Sequence, residues 1–96
     1  MAGNLVISPE IREKLKSKHN VQPREIEQCF DNRVGTFLVD DREEHRTDPA
    51  TLWFVAETNV GRVLKVIFVY EHGSVRIKSA YEASEPVIRL YEEKGR

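Results

Sequence analysis

Cysteine is nearly absent from this chain of 96 residues, in which Cys29 stands alone. A single cysteine cannot form a disulfide within the chain, and it cannot supply a zinc site of four cysteines. No apolar run approaches the length of a membrane span, and residues 1–20 lack the long apolar core of a signal peptide. These absences exclude a disulfide-stabilised scaffold, and from them we expect a cytoplasmic protein with no membrane partner.

Net charge is also small, because the formal charge at pH 7 is −1, so no overall field attracts nucleic acid. The charges are nevertheless unevenly distributed. Residues 24–57 hold nine acids and four bases, whereas residues 1–23 and 58–82 each hold four bases and two acids. Contact with RNA would therefore need a local basic patch made by the N-terminal helix and the last strands. The alternative is a well-solvated surface of mixed charge.

Chain length sets the number of domains. A chain of 96 residues predicts one domain, 1–96, with one modest core. The sequence has no internal repeat and no low-complexity segment that would mark a boundary. A large two-lobed active site does not fit in such a chain.

Two helices are predicted in the first third of the chain. Ser8 can cap the first helix, Pro9 suits its first turn, and Asn20 can end it in a left-handed conformation. Pro23 marks the start of the second helix. Apolar residues at helical spacing predict the buried faces of both: Ile7, Ile11, Leu15, Ile26, Cys29 and Phe30.

After Thr36 the apolar residues recur with the period of β-strands. The predicted strands are 37–39, 52–58, 63–70 and 74–80. Tight turns are expected at Asn59-Val60-Gly61 and at His72-Gly73, and a closing helix follows Ser84. The expected fold class is α+β: a four-stranded antiparallel meander packed by two N-terminal helices and one C-terminal helix. A short extra strand near the N terminus is left open.

The last predicted strand carries two cations. Because strand side chains alternate between faces, Arg76, Lys78 and Ala80 are expected on one face. Lys65 interrupts an apolar strand, and in the simplest register it shares that face with Arg76. A cluster of cations beside Tyr81 suits a phosphodiester, and it suits an acidic partner equally well.

Six short stretches spread over nearly the whole chain follow the pattern of one known family: Lys18-His19-Asn20-Val21, 27–31, Asp41-Arg42, Gly61-Arg62-Val63-Leu64, Arg76-Ile77-Lys78-Ser79-Ala80, and Glu85 with Arg89-Leu90-Tyr91. On these residues the chain resembles the BrnT toxins, which have a RelE-like fold. It departs from them in two places: the family has arginine where this chain has Tyr81, and a Gly-Glu-x-Arg motif is replaced by Asp48-Pro49-Ala50-Thr51.

The resemblance implies a ribonuclease that needs neither metal nor cofactor and uses the 2′-hydroxyl of the RNA as nucleophile. It also implies a partner, a small DNA-binding antitoxin. On this reading Arg76 binds the scissile phosphate, and His45 or Tyr81 transfers the proton. Electrostatic support and RNA binding are expected from the remaining cations of residues 58–82 and from one arginine of the charged loop: Arg62, Lys65, Lys78 and Arg46.

Each of these residues also has a plainer interpretation. The strand cations can keep an exposed face from pairing with another sheet, and Lys65 can reach past apolar neighbours to solvent. His45 and Arg46 can belong to a solvated loop, and His19 is expected to be only the last residue of a helix. The acidic loop beginning at Asp40 matches no known metal-binding spacing, so no metal is expected.

A second function therefore stays open, a non-catalytic module that binds a protein partner through the sheet face. The two departures from the family pattern favour it, whereas the Arg-Ile-x-Ser-Ala stretch favours the ribonuclease.

Overall fold

A computed structural model describes residues 4–40 and 49–95 of the chain, and these residues form an α+β fold. The predicted fold class is therefore confirmed at this level. A π-helical turn, Leu15–His19, continues the first helix without a break. The elements in chain order are β1 (Leu5–Val6), α1 (Pro9–Lys14), α2 (Pro23–Asn32), β2 (Leu38–Val39), β3 (Thr51–Glu57), β4 (Val63–Glu71), β5 (Ser74–Glu82) and α3 (Glu85–Lys94).

In this described part the sheet has five strands in the order β1-β5-β4-β3-β2. Strands β2 to β5 pair as antiparallel neighbours, whereas β1 is parallel to β5, with Leu5 opposite Val75. The sheet is therefore mixed. No hairpin turn constrains the direction of β1 relative to β5, because two helices and three strands separate them along the chain.

The predicted helix ends and turns agree with the backbone. Ser8 accepts a hydrogen bond from the backbone N–H of Ile11 at 3.3 Å, as an N-cap does. Asn20 is left-handed, with φ of 52°, and ends the π-helical turn. His72 and Gly73 both have positive φ, which a two-residue hairpin turn of this kind requires.

Strand β5 contains a β-bulge, and this overturns the predicted alternation of its side chains. Phe68 of β4 pairs with Ile77, but the preceding residue, Ile67, pairs with Ser79, so Lys78 is skipped. Ile77 and Ala80 consequently face the same side of the sheet, and both are buried. The prediction that Ala80 shares a face with Arg76 and Lys78 is wrong, because the extra residue reverses the alternation beyond it.

One face of the sheet is packed by α2 through four phenylalanines. Their rings meet edge to face, with centroids 4.7–6.1 Å apart, the geometry that aromatic rings prefer. The four are Phe30, Phe37, Phe54 and Phe68.

Helix α3 covers part of the opposite face. The ring of Tyr91 lies 5.8 Å from that of Trp53 on β3, and its hydroxyl donates to the carbonyl of Thr36 at 2.6 Å. The N–H of Thr36 in turn donates to the carbonyl of Gly95 at 2.8 Å. The end of α3 is therefore attached to the segment before β2. None of the described helices is long and apolar enough to cross a membrane.

Candidate functional site

Lys65 and Tyr81 form a directly opposed pair on β4 and β5. Residues opposite each other on antiparallel strands point to the same side, with Cβ atoms roughly 5 Å apart. The bulge at Lys78 creates this pair, because with regular pairing from the turn onward Ala80 would lie opposite Lys65. Lys65 and Tyr81 therefore leave the sheet side by side on the face that α3 partly covers.

Lys65 is also held by an aromatic ring. Its Nζ lies 4.7 Å from the centroid of Trp53, within the range of a cation–π contact. The side chain is partly buried, so the ammonium group stays close to the sheet. A positive charge in a partly desolvated position interacts more strongly with an anion than a fully solvated one.

His19 completes this group. Its ring centroid lies 5.3 Å from that of Tyr81, with the two planes tilted by 44°. Imidazole and phenol can each donate or accept a proton. We call His19, Lys65 and Tyr81 the Lys65 cluster, which combines two groups suited to proton transfer with one fixed cation.

Sequence reasoning missed His19 as a site residue. It is the last residue of a helical segment, as expected, but its contact with Tyr81 joins positions far apart in the chain. The available signal was its place in Lys18-His19-Asn20-Val21, one of the stretches that resemble the family.

Arg76 lies on the same face as Lys65 but not beside it. Arg76 is opposite Val69, four residues along β4 from Lys65, or about 13 Å at the usual rise. Its Nη2 is 3.1 Å from Oε1 of Glu71, and its side chain is 59% exposed. An exposed ion pair is worth roughly 0–1 kcal/mol, so an anionic ligand can compete with Glu71 for this guanidinium.

Lys78 is exposed at the bulge itself. Bulges redirect the side chains around them and often lie beside functional sites. The predicted RNA contact of Lys78 remains a prediction, and no cluster of Lys78 with Lys65 follows from the pairing.

Arg62 is occupied by contacts within the protein. Its Nε donates to Glu82 at 2.9 Å, and its Nη1 donates to both carboxylate oxygens of Glu25 at 3.1 and 3.2 Å. The carbonyls of Asn20 and His19 accept two further bonds, at 2.7 and 3.1 Å. Arg62 therefore anchors the end of the π-helical turn and, through it, the backbone of His19. Its predicted RNA contact would have to share a guanidinium that already has five hydrogen bonds.

The charge states of Arg62 and Glu25 follow from their hydrogen bonds and burial. Burial opposes the charged form of Arg62, but hydrogen bonds to Glu25 and Glu82 outweigh it and raise the pKa of Arg62. Burial likewise acts to raise the pKa of Glu25, yet the Gln22 N–H and Arg62 together bring that pKa below its ordinary value. Both groups are therefore charged at neutral pH.

Cys29 takes no part in this chemistry. Its thiol donates to the carbonyl of Ala56 at 3.6 Å inside the core. Burial, with Glu25 nearby, raises the pKa of Cys29 to about 12, so no reactive thiolate forms at neutral pH.

Two predicted site residues, His45 and Arg46, lie outside the described residues, as does the Asp41-Arg42 stretch. Within 4–40 and 49–95, no group of three or more histidine, cysteine, aspartate or glutamate residues is placed to hold a metal ion.

The chain matches no protein-family model, and it matches no curated protein sequence.

Proposed function

We propose that this chain is a ribonuclease toxin of the BrnT kind, with a RelE-like fold, that cleaves RNA without a metal ion. The proposal depends on one observation: Tyr81 lies opposite Lys65 on the adjacent strand, and its ring contacts that of His19 at the helix end. The resemblance of the surrounding sequence to that family supports it. RNA is the proposed substrate, and a small DNA-binding antitoxin is the proposed partner.

The proposed reaction is an internal transfer. The 2′-oxygen of the RNA attacks the adjacent phosphorus while the bond to the 5′-oxygen breaks, and this leaves a 2′,3′-cyclic phosphate. One group must take the proton from the 2′-hydroxyl, and another must protonate the departing 5′-oxygen. His19 and Tyr81 supply two such groups, and Lys65 stabilises the negative charge that develops on the phosphate.

Arg76 has a separate role in this proposal. At about 13 Å from Lys65 along the strand, it contacts a neighbouring phosphate of the same RNA strand rather than the scissile one. Its exchangeable ion pair with Glu71 is compatible with this role. His45 and Arg46 remain proposed contributors from the loop.

Purified protein tests the chemistry directly. RNA cleavage is measured in excess EDTA, with DNA of the same sequence as the control that lacks the nucleophile. We expect His19→Gln, Tyr81→Phe and Lys65→Met each to slow cleavage by about 10²- to 10³-fold. Lys14→Met, which removes an exposed lysine from α1, is the matched control and should cleave at the wild-type rate.

Expression in cells provides a second test of the proposed ribonuclease. Induction of the wild-type chain is expected to arrest growth and degrade RNA, and Arg76→Ala is expected to weaken both effects. Normal growth with intact RNA in cells that hold folded protein would reject the ribonuclease.

The alternative is a non-catalytic module that binds a protein partner through the sheet face. The ion pairs support it, because Arg76 and Arg62 already have carboxylate partners within the chain. A folded protein that leaves RNA intact and binds its partner through Lys65 and Arg76 would establish this function.

A further inference from the structure

A groove of about 500 Å³ lies between α3 and the ends of β3 and β4. It adjoins the Lys65 cluster, because its residue Val55 lies directly opposite Lys65, but no residue of that cluster lines it. Its apolar lining comes from three elements: Val55 on β3, Val63 on β4 and Ile88 on α3. Val55 is buried, and the other two are partly buried. The groove is thus a shaped apolar surface rather than a flat patch.

An exposed apolar residue stands at the edge of this groove. Val34, in the segment after α2, lines it and is 76% exposed. A single exposed valine needs no explanation, but one that adjoins an apolar groove enlarges the surface that a partner can bury.

The charged residues of the groove are all of one sign. Glu57 and Glu92 line it, and its described lining residues include no lysine, arginine or histidine. Glu57 is exposed at the end of β3. Asn32 and Asn59 add side-chain amides, which are joined to each other by a hydrogen bond of 3.0 Å. An apolar groove with the exposed carboxylate of Glu57 at its edge favours a ligand that carries apolar groups and positive charge together.

We infer that the α3 groove, defined by Val34, Val55, Glu57, Val63 and Ile88, docks a segment of a partner protein that presents an apolar stripe flanked by lysine or arginine. An amphipathic helix has this form, with its apolar face in the groove and its cations beside the carboxylates. Nucleic acid is disfavoured at this site because its phosphates would face those carboxylates. The inference is independent of RNA cleavage.

The test uses a blocked peptide of about 18 residues, roughly 27 Å as a helix, with a leucine stripe and lysines elsewhere. A matched peptide carries glutamate in place of every lysine. Binding to the full chain is measured by calorimetry, and the contacts are mapped by amide chemical-shift changes. We expect the lysine peptide to bind, the glutamate peptide not to bind, and the shifts to concentrate at Asn32, Val34, Thr58 and Asn59.

Two variants and two matched controls locate the site. Val34→Ser and Glu57→Lys should each weaken lysine-peptide binding about tenfold, a change of 1.4 kcal/mol. Val39→Ser, at a valine that is 59% exposed on β2, and Glu13→Lys on α1 should leave binding unchanged. Far-UV circular dichroism checks that all four variants are folded.

The inference would be overturned by no binding of the lysine peptide, by equal weakening in the control variants, or by shifts centred on Arg76. Groove shifts that grow with protein concentration in the absence of peptide would assign the groove to a second copy of the chain, and would overturn it too. RNA cleavage is scored in a separate assay, so failure of the ribonuclease proposal leaves this result interpretable.

Discussion

Tyr81 lies directly opposite Lys65 because Lys78 is left out of the pairing between β4 and β5. The same irregularity keeps Ile77 and Ala80 together in the core although three positions separate them. A single extra residue thus produces both a continuous core on one side of the sheet and the proposed site on the other.

Deletion of Lys78 should be tolerated. Without it, Ile77 stays opposite Phe68, Ser79 stays opposite Ile67, and every later residue keeps its face. We expect cooperative thermal unfolding, followed by circular dichroism, with a free energy of unfolding within about 2 kcal/mol of wild type.

Deletion of Arg76 is the matched control for this prediction, because it also removes one exposed cation from β5. In this variant Ile77 would move to the outer face and Lys78 would turn toward the core. We therefore expect the free energy of unfolding to fall by several kcal/mol. Equal stability of the two deletion variants would contradict the assigned register.

Replacement of Arg62 by methionine should destabilise the fold. Methionine keeps much of the apolar stem but removes the donor to the carbonyls of His19 and Asn20 and leaves Glu25 with the Gln22 N–H but without its arginine. Hydrogen bonds to charged groups are worth roughly 1.5–3 kcal/mol each when buried, and partial exposure reduces this, so we expect a total loss of about 2 kcal/mol in urea titrations.

Arg62→Lys provides the graded comparison. Lysine restores the charge, but its single nitrogen cannot replace three nitrogens that bond Glu25, Glu82 and the carbonyl of His19 at the same time. The stability of this variant should therefore fall between those of wild type and Arg62→Met. A lysine variant as stable as wild type would show that charge alone matters at this position.

Stability should also depend on pH through Glu25. Its pKa in the folded chain lies below the ordinary value of 4.5, so the unfolded chain binds the proton more readily. The stabilisation from the Glu25 carboxylate is therefore complete above pH 4.5 and is lost as the pH falls through the lower, folded pKa. Urea midpoints of the wild-type chain and Glu25→Gln, measured from pH 7 downward, should converge below pH 4.5. Parallel curves would contradict the assignment.

Gly95→Ala should lower the free energy of unfolding by about 1–3 kcal/mol, because the added methyl group overpacks its surroundings. A Cβ at this position would lie 2.6 Å from Cε1 of Tyr91. The ring cannot easily move away, because it packs on Trp53 and its hydroxyl is bonded to Thr36. Thermal unfolding measures the loss. In a Tyr91→Ala background the same substitution should have almost no effect, which separates the clash from any effect on the helix end.

Much of the local structure could be predicted from neighbouring residues. Ser8 as a cap, Asn20 as a left-handed end and the His72-Gly73 turn depend on interactions within a few positions of the chain. The faces of β3 follow from simple alternation, with Phe54 turned toward α2 and Trp53 toward α3.

The arrangement of the candidate site could not be predicted from neighbouring residues in this way. Residues 65, 76 and 81 could be recognised as candidate site residues from their chemistry. Their arrangement depends on a bulge that the sequence of β5 does not predict. The structural role of Arg62 could not be predicted either, because its hydrogen-bond acceptors Asn20 and Glu25 lie about 40 positions away in sequence.

The order of the elements, their approximate ends and the core residues before the bulge follow from the sequence alone, because hydrophobic period and turn chemistry act over a few residues. Tertiary structure decided the parallel pairing of β1 with β5, the skipped Lys78 and the contact of His19 with Tyr81. These features depend on how distant segments pack together, since burial of Ile77 and Ala80 on one face overrides the regular alternation of an isolated strand.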